Sequence, residues 1–261
     1  MDTKALFEQG DLSALHAQVA QEIRTNPQDA ASRALFVQLL CMEGEWQRAE
    51  AQADALMKLN PASAMFCATL SQLIRAELSR EAVFCGKAVP GWVGEPPVWS
   101  GLLCDAFTAY AGGDAAAGAA ATSQILDALP VIPVTHSHGR SPWLLDGDAR
   151  LAGVLELITG DAYRLVEQAS VRSLEVAAPT HPVELLWPHV RLQLRSGEPL
   201  VGRMPGRYPL AGERPDSELL MLRSTTWATC GDGLYLGCGQ RCWSTEDGLL
   251  PLLNEEHLLF D

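Results

Sequence analysis

His136-Ser137-His138 sets two imidazoles in alternation, a spacing that can aim both at one metal ion. No Asp, Glu or Cys at a helpful spacing accompanies them locally, so the pair reads as part of a solvated polar run. Cys230, Cys238 and Cys242 offer three thiols, but no CxxC pair is present and their spacing fits no common zinc module. Gly231-Asp232-Gly233, followed by Gly237 and Gly239, is rich in glycine yet lacks the strand–GxGxxG–helix context and the lysine of a phosphate cradle. It reads as hairpin turns. Neither GxSxG nor HExxH occurs, and Glu255-Glu256 sits among leucines near the end of the chain without a partner base. No nucleophile, base and orienter come together. The expectation is a non-enzymatic protein with no catalytic residue, no metal and no cofactor.

Bulk properties narrow the partners. The 261 residues carry a formal charge of −13, shared almost evenly between residues 1–130 (−7) and 131–261 (−6). Without a basic patch or basic helix, nucleic acid and anionic membrane are not expected as partners. No apolar run approaches the ~20 residues of a membrane span. The first 25 residues form an acidic amphipathic stretch rather than a signal peptide. Seven cysteines, an odd number, include Cys41, Cys67, Cys85 and Cys104 in helical apolar contexts. They read as buried small hydrophobes in a reducing compartment, and the chain is expected to be cytoplasmic.

The elements that would position a function show a period. Three glycines, Gly10, Gly44 and Gly113, are each followed seventeen residues later by a proline (Pro27, Pro61, Pro130). Each glycine precedes an acid: Asp11, Glu45 or Asp114. The first two copies lie 34 residues apart and the third 69 further on, the mark of stacked helix-turn-helix units that build interaction surfaces. In the second copy, Ala31–Met42 reads as a helix ended by Gly44. A second helix then starts at Glu45-Trp46, presents Trp46, Ala49, Ala53 and Met57 on one face, and stops at Asn60-Pro61. The spacing matches the tetratricopeptide repeat closely. From 62 to 99 the pattern lapses into a long helix (about 64–80), a short helical piece and a loop over 89–97.

Beyond Pro130 the periodicity changes. The segment 131–142 reads as a linker, and short alternating runs separated by turn residues follow it. Hairpins are expected for 155–158 with 163–166, 190–194 with 200–202, and 225–229 with 234–236. Further strands are expected at 173–176, 249–253 and 258–260. The fold class is therefore α+β: an all-α repeat region (1–130), a linker (131–142) and a compact strand-rich domain (143–261). A hydrophobic content of 48% suffices for two cores.

Read together, the two halves resemble the ImpE/TagJ family of type VI secretion accessory proteins, over essentially the whole length. The resemblance rests on Leu6-Phe7 with Gly10-Asp11, the run Leu39 to Glu45 before Trp46, and Gly94-Glu95-Pro96-Pro97 before Trp99. Its most specific part is Trp143-Leu144-Leu145-Asp146 with Asp148, Arg150 and Leu151, leading to Gly153, Gly160 and Tyr163. Ser173-Leu174-Glu175, Leu186-Trp187-Pro188 and Tyr208-Pro209 add to it, while the alanine-rich third copy departs from the pattern. The resemblance implies an adaptor that binds an N-terminal helix of the small contractile-sheath subunit (TssB/VipA type) and links the sheath to the ClpV ATPase.

A groove between stacked helix pairs would accept such an amphipathic helix. In tetratricopeptide-like stacks the first helix of each pair faces the concave side. That nominates Phe36, Leu39 and Leu40, then Met65, Thr69 and Gln72 on the next helix. Trp92 and Trp99, flanking the stiff Gly-Glu-Pro-Pro loop, are candidate anchors as well. For the apolar nominees on the helices core packing is the more ordinary reading, Trp92 and Trp99 could equally pin their loop onto the helices, and Trp143, Trp187 and Trp243 read as core. Two other functions fit the residues: a ligand- or metal-dependent domain in the strand-rich half, or a repeat scaffold of another pathway.

Overall fold

Asp11, Asp29 and Asp114 each accept hydrogen bonds from backbone amides one turn on, and each thereby starts a helix. In the computed structural model, which describes residues 3–210, 212 and 214–261, these caps open three of seven consecutive α-helices. Met1 and Asp2, the start of the expected repeat region, lie outside the described residues. The helices are α1 (Thr3–Gln9), α2 (Leu12–Thr25), α3 (Ala30–Met42), α4 (Trp46–Leu59), α5 (Ala64–Phe84), α6 (Ser100–Ala111) and α7 (Ala115–Ala128). The three repeat glycines all take the left-handed conformation, with φ of +81°, +75° and +81°, at the joints α1–α2, α3–α4 and α6–α7.

Two details of the helices differ from the sequence reading. The buried face of α4 is Trp46, Ala49, Ala53 and Leu56, whereas Met57 points outward. The long helix continues to Phe84, absorbing the expected short helical piece, because Val83 and Phe84 extend its buried stripe. The loop after it contributes β1 (Gly91–Trp92).

The rest of the chain is strand-rich: β2 (Val134–His136), β3 (Gly139–Ser141), β4 (Leu145–Asp146), β5 (Val154–Thr159), β6 (Ala162–Glu167), β7 (Val171–Val176), β8 (His189–Leu194) and β9 (Pro199–Arg203). They are followed by β10 (Thr225–Gly231), β11 (Leu234–Gly239), β12 (Cys242–Thr245), β13 (Gly248–Pro251) and β14 (His257–Phe260). Short helices α8 (Pro182–Leu186) and α9 (Ser217–Leu220) interrupt them. Nine strands form one sheet in the order β1-β6-β5-β9-β8-β7-β14-β2-β3. The hairpin β10–β11 stands apart, and β13-β12-β4 make a small third sheet. The three expected hairpins are present as β5–β6, β8–β9 and β10–β11.

The segment expected as a linker carries the β2–β3 hairpin instead. Its polar residues alternate with buried Val134 and Ser141, and β14 pairs with β2, so backbone hydrogen bonds hold it in the main sheet. One apolar cluster, which includes Val134, Leu155, Leu192, Trp243 and Phe260, lies within the strand-rich half. The other is continuous from Leu6 in α1 through the helices to Leu186, Trp187, Tyr208 and Leu222. Helices and sheet thus share a core.

Candidate functional site

The residues nominated for the concave groove do not form an open surface together. Leu39 and Leu40 on α3 are fully buried. Phe36 is half-buried, its ring edge-on to His16 at 5.0 Å. On α5, Met65 is 81% exposed and Gln72 is exposed, while Thr69 turns its hydroxyl back to the Met65 carbonyl. Trp92 and Trp99 meet in a T-shaped pair at 6.0 Å, with Trp99 buried, so they fasten the Gly-Glu-Pro-Pro loop to the body.

The face of the first helices is filled by the chain itself. The amide N–H of Val183 in α8 donates to Gln38 Oε1 on α3. Arg207 Nη1 donates to the carbonyl of Met42, the last residue of α3, at 2.5 Å. Trp187 lies 5.9 Å from Trp46 and donates its indole N–H to Glu77 Oε2 on α5. Where these side chains sit, the inner face of α3–α5 is covered by the chain itself, while a cavity of about 460 Å³ stays open between α1, Leu15, Leu35 and α8.

At the centre of this contact stands a buried charge network. Arg80 on α5 forks onto Glu156 of β5, at 2.6 Å through Nε and 3.1 Å through Nη2, and reaches Glu77 at 2.7 Å. Arg241 Nη1 donates to the other side of Glu156 at 2.9 Å and its Nε to Asp146 of β4 at 2.6 Å. Tyr163 and Tyr208 donate their hydroxyls to Glu156 and Asp146. Beside it, Arg150 forks onto Asp148, which also accepts the Gly237 N–H. Four guanidiniums (Arg80, Arg150, Arg207, Arg241) and four carboxylates (Glu77, Asp146, Asp148, Glu156) are all buried, so the charges balance.

Burial pushes the Glu156 carboxyl up, but Arg80 and Arg241 override it and hold the group below its ordinary value. Asp146 goes the other way, raised to about 6 because burial outweighs Arg241. Burial lowers Arg207 to about 10, with Glu77 opposing the shift. Every carboxylate of the network is engaged with protein donors. The arrangement ties two halves together and leaves no free acid or base in it to act on a substrate.

His136, Ser137 and His138 occupy the β2–β3 turn. Ser137 donates N–H and hydroxyl to buried Glu255, and His138 Nε2 lies 3.4 Å from it, so that acid does have a base beside it, from far away in sequence. Among the described residues no group of three His, Cys, Asp or Glu side chains could hold a metal ion. The thiols are separate: Cys230 lies near Tyr110 and Cys242 near the Gln240 carbonyl, and burial raises both above an ordinary thiol. Cys85 is exposed and Cys104 half-buried, so these two are not the core residues expected.

The network residues were missed as a site, although α5 carried a signal. Glu77 and Arg80 fall on the stripe Leu70, Leu73, Ile74 and Phe84, where a charge must find a partner. Their partners beyond α5 are Glu156 of β5, the Arg207 carbonyl and the Trp187 indole, which no local pattern connects to α5.

Helical repeats joined through a buried ion network to a mixed sheet define a helical-repeat α+β fold. The sequence profile of a family described as ImpE protein matches residues 139–258. Over 261 residues, all of this chain and 92% of the relative, the chain is 31% identical to a Pseudomonas aeruginosa (strain PAO1) protein described as type VI secretion system accessory component TagJ. The crystal structure of protein VPA1032 from Vibrio parahaemolyticus shares the fold with a TM-score of 0.90 and 25% identity, covering 100% of this chain and 98% of that chain. The chain belongs to the ImpE/TagJ family. Among the described residues no helix is long and apolar enough to cross a membrane.

Proposed function

We propose that the protein is a non-enzymatic accessory component of a type VI secretion system. In this reading it binds an N-terminal helix of the small contractile-sheath subunit and brings the sheath to the ClpV ATPase. The observation that carries the reading is the end-to-end match, 31% identity over all 261 residues, to a relative described as such an accessory component. An acidic chain whose buried acids and bases are already engaged with one another is suited to holding a partner rather than transforming one.

The test is titration of the full-length protein with a synthetic peptide of the sheath subunit's leading helix from the same genome. Binding at about micromolar strength, ~8 kcal/mol, is expected. A peptide that leaves the protein's heat signal and fluorescence unchanged up to saturating concentration refutes the reading. Co-sedimentation of ClpV with the protein and the sheath subunit, compared with each alone, then tests the bridge.

A further inference from the structure

Helix α8 and Trp187 cover part of the inner face of the repeats, and a second opening stands beside the last of the seven helices. A cavity of about 410 Å³ opens between α7, the β10–β11 hairpin and the small sheet β13-β12-β4. Leu126, Trp143, Trp227, Leu234, Tyr235 and Leu249 form its apolar wall. We infer that this cavity is the seat of the partner helix, taking a bulky apolar side chain of a basic amphipathic helix. The inference rests on the function proposed above and names where that helix binds.

The two carboxylates and the threonine of the lining are already used. Asp146 is held by Arg241 and Tyr208, Asp148 by Arg150 and the Gly237 N–H, and the Thr122 hydroxyl by Ala149 and Tyr110. A small polar ligand needs a few free converging groups to orient it. None of these three is free, and the rest of the lining is mostly aromatic and aliphatic, so a group that enters is chiefly apolar. Part of the wall is packed in place by its neighbours. Trp227 lies against the Gly147 backbone, where a Cβ would come within 2.6 Å of its ring, and stacks edge-on with Tyr208 at 5.5 Å. Little ordering of that part is left to oppose docking.

Two observations select a helix of a protein over a free hydrophobic molecule. The apolar surface continues outside the cavity, with Tyr235 44% and Leu249 49% exposed at its mouth, as an anchor's neighbours would require. Exposed acids also lie on the elements that line the cavity. Asp127 follows Leu126 on α7, Asp232 occupies the β10–β11 turn, and Glu246-Asp247 form the β12–β13 turn; all four are exposed. No Lys or Arg lines the cavity among the described residues. Such a rim favours lysines and arginines flanking the apolar stripe of the incoming helix.

The experiment compares sheath-helix peptide binding to the unaltered full-length protein with three variants. Leu249→Glu spoils the apolar mouth, the double change Glu246→Lys with Asp247→Lys reverses the rim charge, and Met65→Asp alters the exposed surface of α5. All four residues are exposed, so folding should persist, and thermal melting checks it. The first two variants should each bind roughly tenfold more weakly or worse, while Met65→Asp binds as the unaltered protein does. Hydrogen exchange should slow on α7 and the β10–β11 and β12–β13 hairpins when peptide is present. If the unaltered protein binds but the first two variants bind equally well, or protection falls on α5 instead, this seat is wrong and the proposed function stands. If the unaltered protein does not bind, the proposed function fails and this inference falls with it.

Discussion

Glu156 holds two guanidiniums at once, Arg80 from the helices and Arg241 from the strands, with no water-exposed surface of its own. Its worth to the protein is asymmetric. An intact buried network offsets the cost of desolvating its members, but removing one partner strands the others. Glu156→Gln keeps the shape and deletes the charge, leaving both guanidiniums facing a neutral amide. The expected loss is about 3–5 kcal/mol, read as a lower urea midpoint with an unchanged slope. The pH dependence follows from the same group. Its folded value lies below its ordinary one, so the stability it confers is fully present above about pH 4.3, the unfolded value, and is lost as pH falls through the folded value. Acid titration of stability should therefore drop more steeply for the unaltered protein than for the variant. Equal acid slopes would remove Glu156 from the account of the contact.

Single elements follow from short-range rules, and most were readable from sequence. The period of glycines located the helix joints because only a residue without a Cβ enters the left-handed region cheaply. The hairpins were readable from alternation and turn residues, and β5–β6 pairs without a register shift from Val154↔Glu167 to Thr159↔Ala162. What failed were elements defined by a distant partner: β1 is a strand because β6 lies beside it, and β2–β3 because β14 does. The alanine-rich third copy, a departure as sequence, has a structural reason. A Cβ at Gly231 of β10 would lie 2.8 Å from that of Ala119, so α7 must be smooth where the hairpin crosses it. The joint glycines also separate two costs. Nothing lies within 4 Å of a Cβ built on Gly113, so Gly113→Ala should cost only the left-handed strain, about 1–2 kcal/mol. At Gly44 the added methyl also meets Leu210 at 2.9 Å, so Gly44→Ala should cost more. Thermal melting of the two variants checks the order; an equal shift would mean that Leu210 yields freely.

The partner-facing surface was the least readable part, and the reason lies in how the halves meet. Reading one repeat at a time makes Leu39 and Leu40 a groove lining, because nothing in residues 30–84 reveals what covers them. What meets this region arrives about 140 residues later as α8, Trp187 and Arg207, which bond Gln38, Glu77 and Met42, the Gln38–Val183 bond being 145 residues apart in sequence. The same separation hid the cavity beside α7, whose walls come from α7, the segment 143–152 and the hairpins beyond 225. In this molecule the repeats are therefore not a free-standing array with its own concave face. Their inner side carries Leu40, Met42, Leu73, Glu77 and Arg80, all buried where the strand-rich half meets them. A repeat stack normally holds itself together through neighbour contacts, and if that were sufficient here, residues 1–130 alone would melt as the helices of the whole protein do. The shared core argues otherwise: cutting the chain at 130 exposes an apolar stripe and separates Arg80 from Glu156. The isolated fragment should keep helical circular dichroism but lose its cooperative melt, bind a hydrophobic dye and self-associate. The full chain should unfold in one transition, with helical and tryptophan signals coinciding. A fragment that sediments as a monomer and melts sharply near the temperature of the whole protein would show that the ion network only decorates a stack already stable without it.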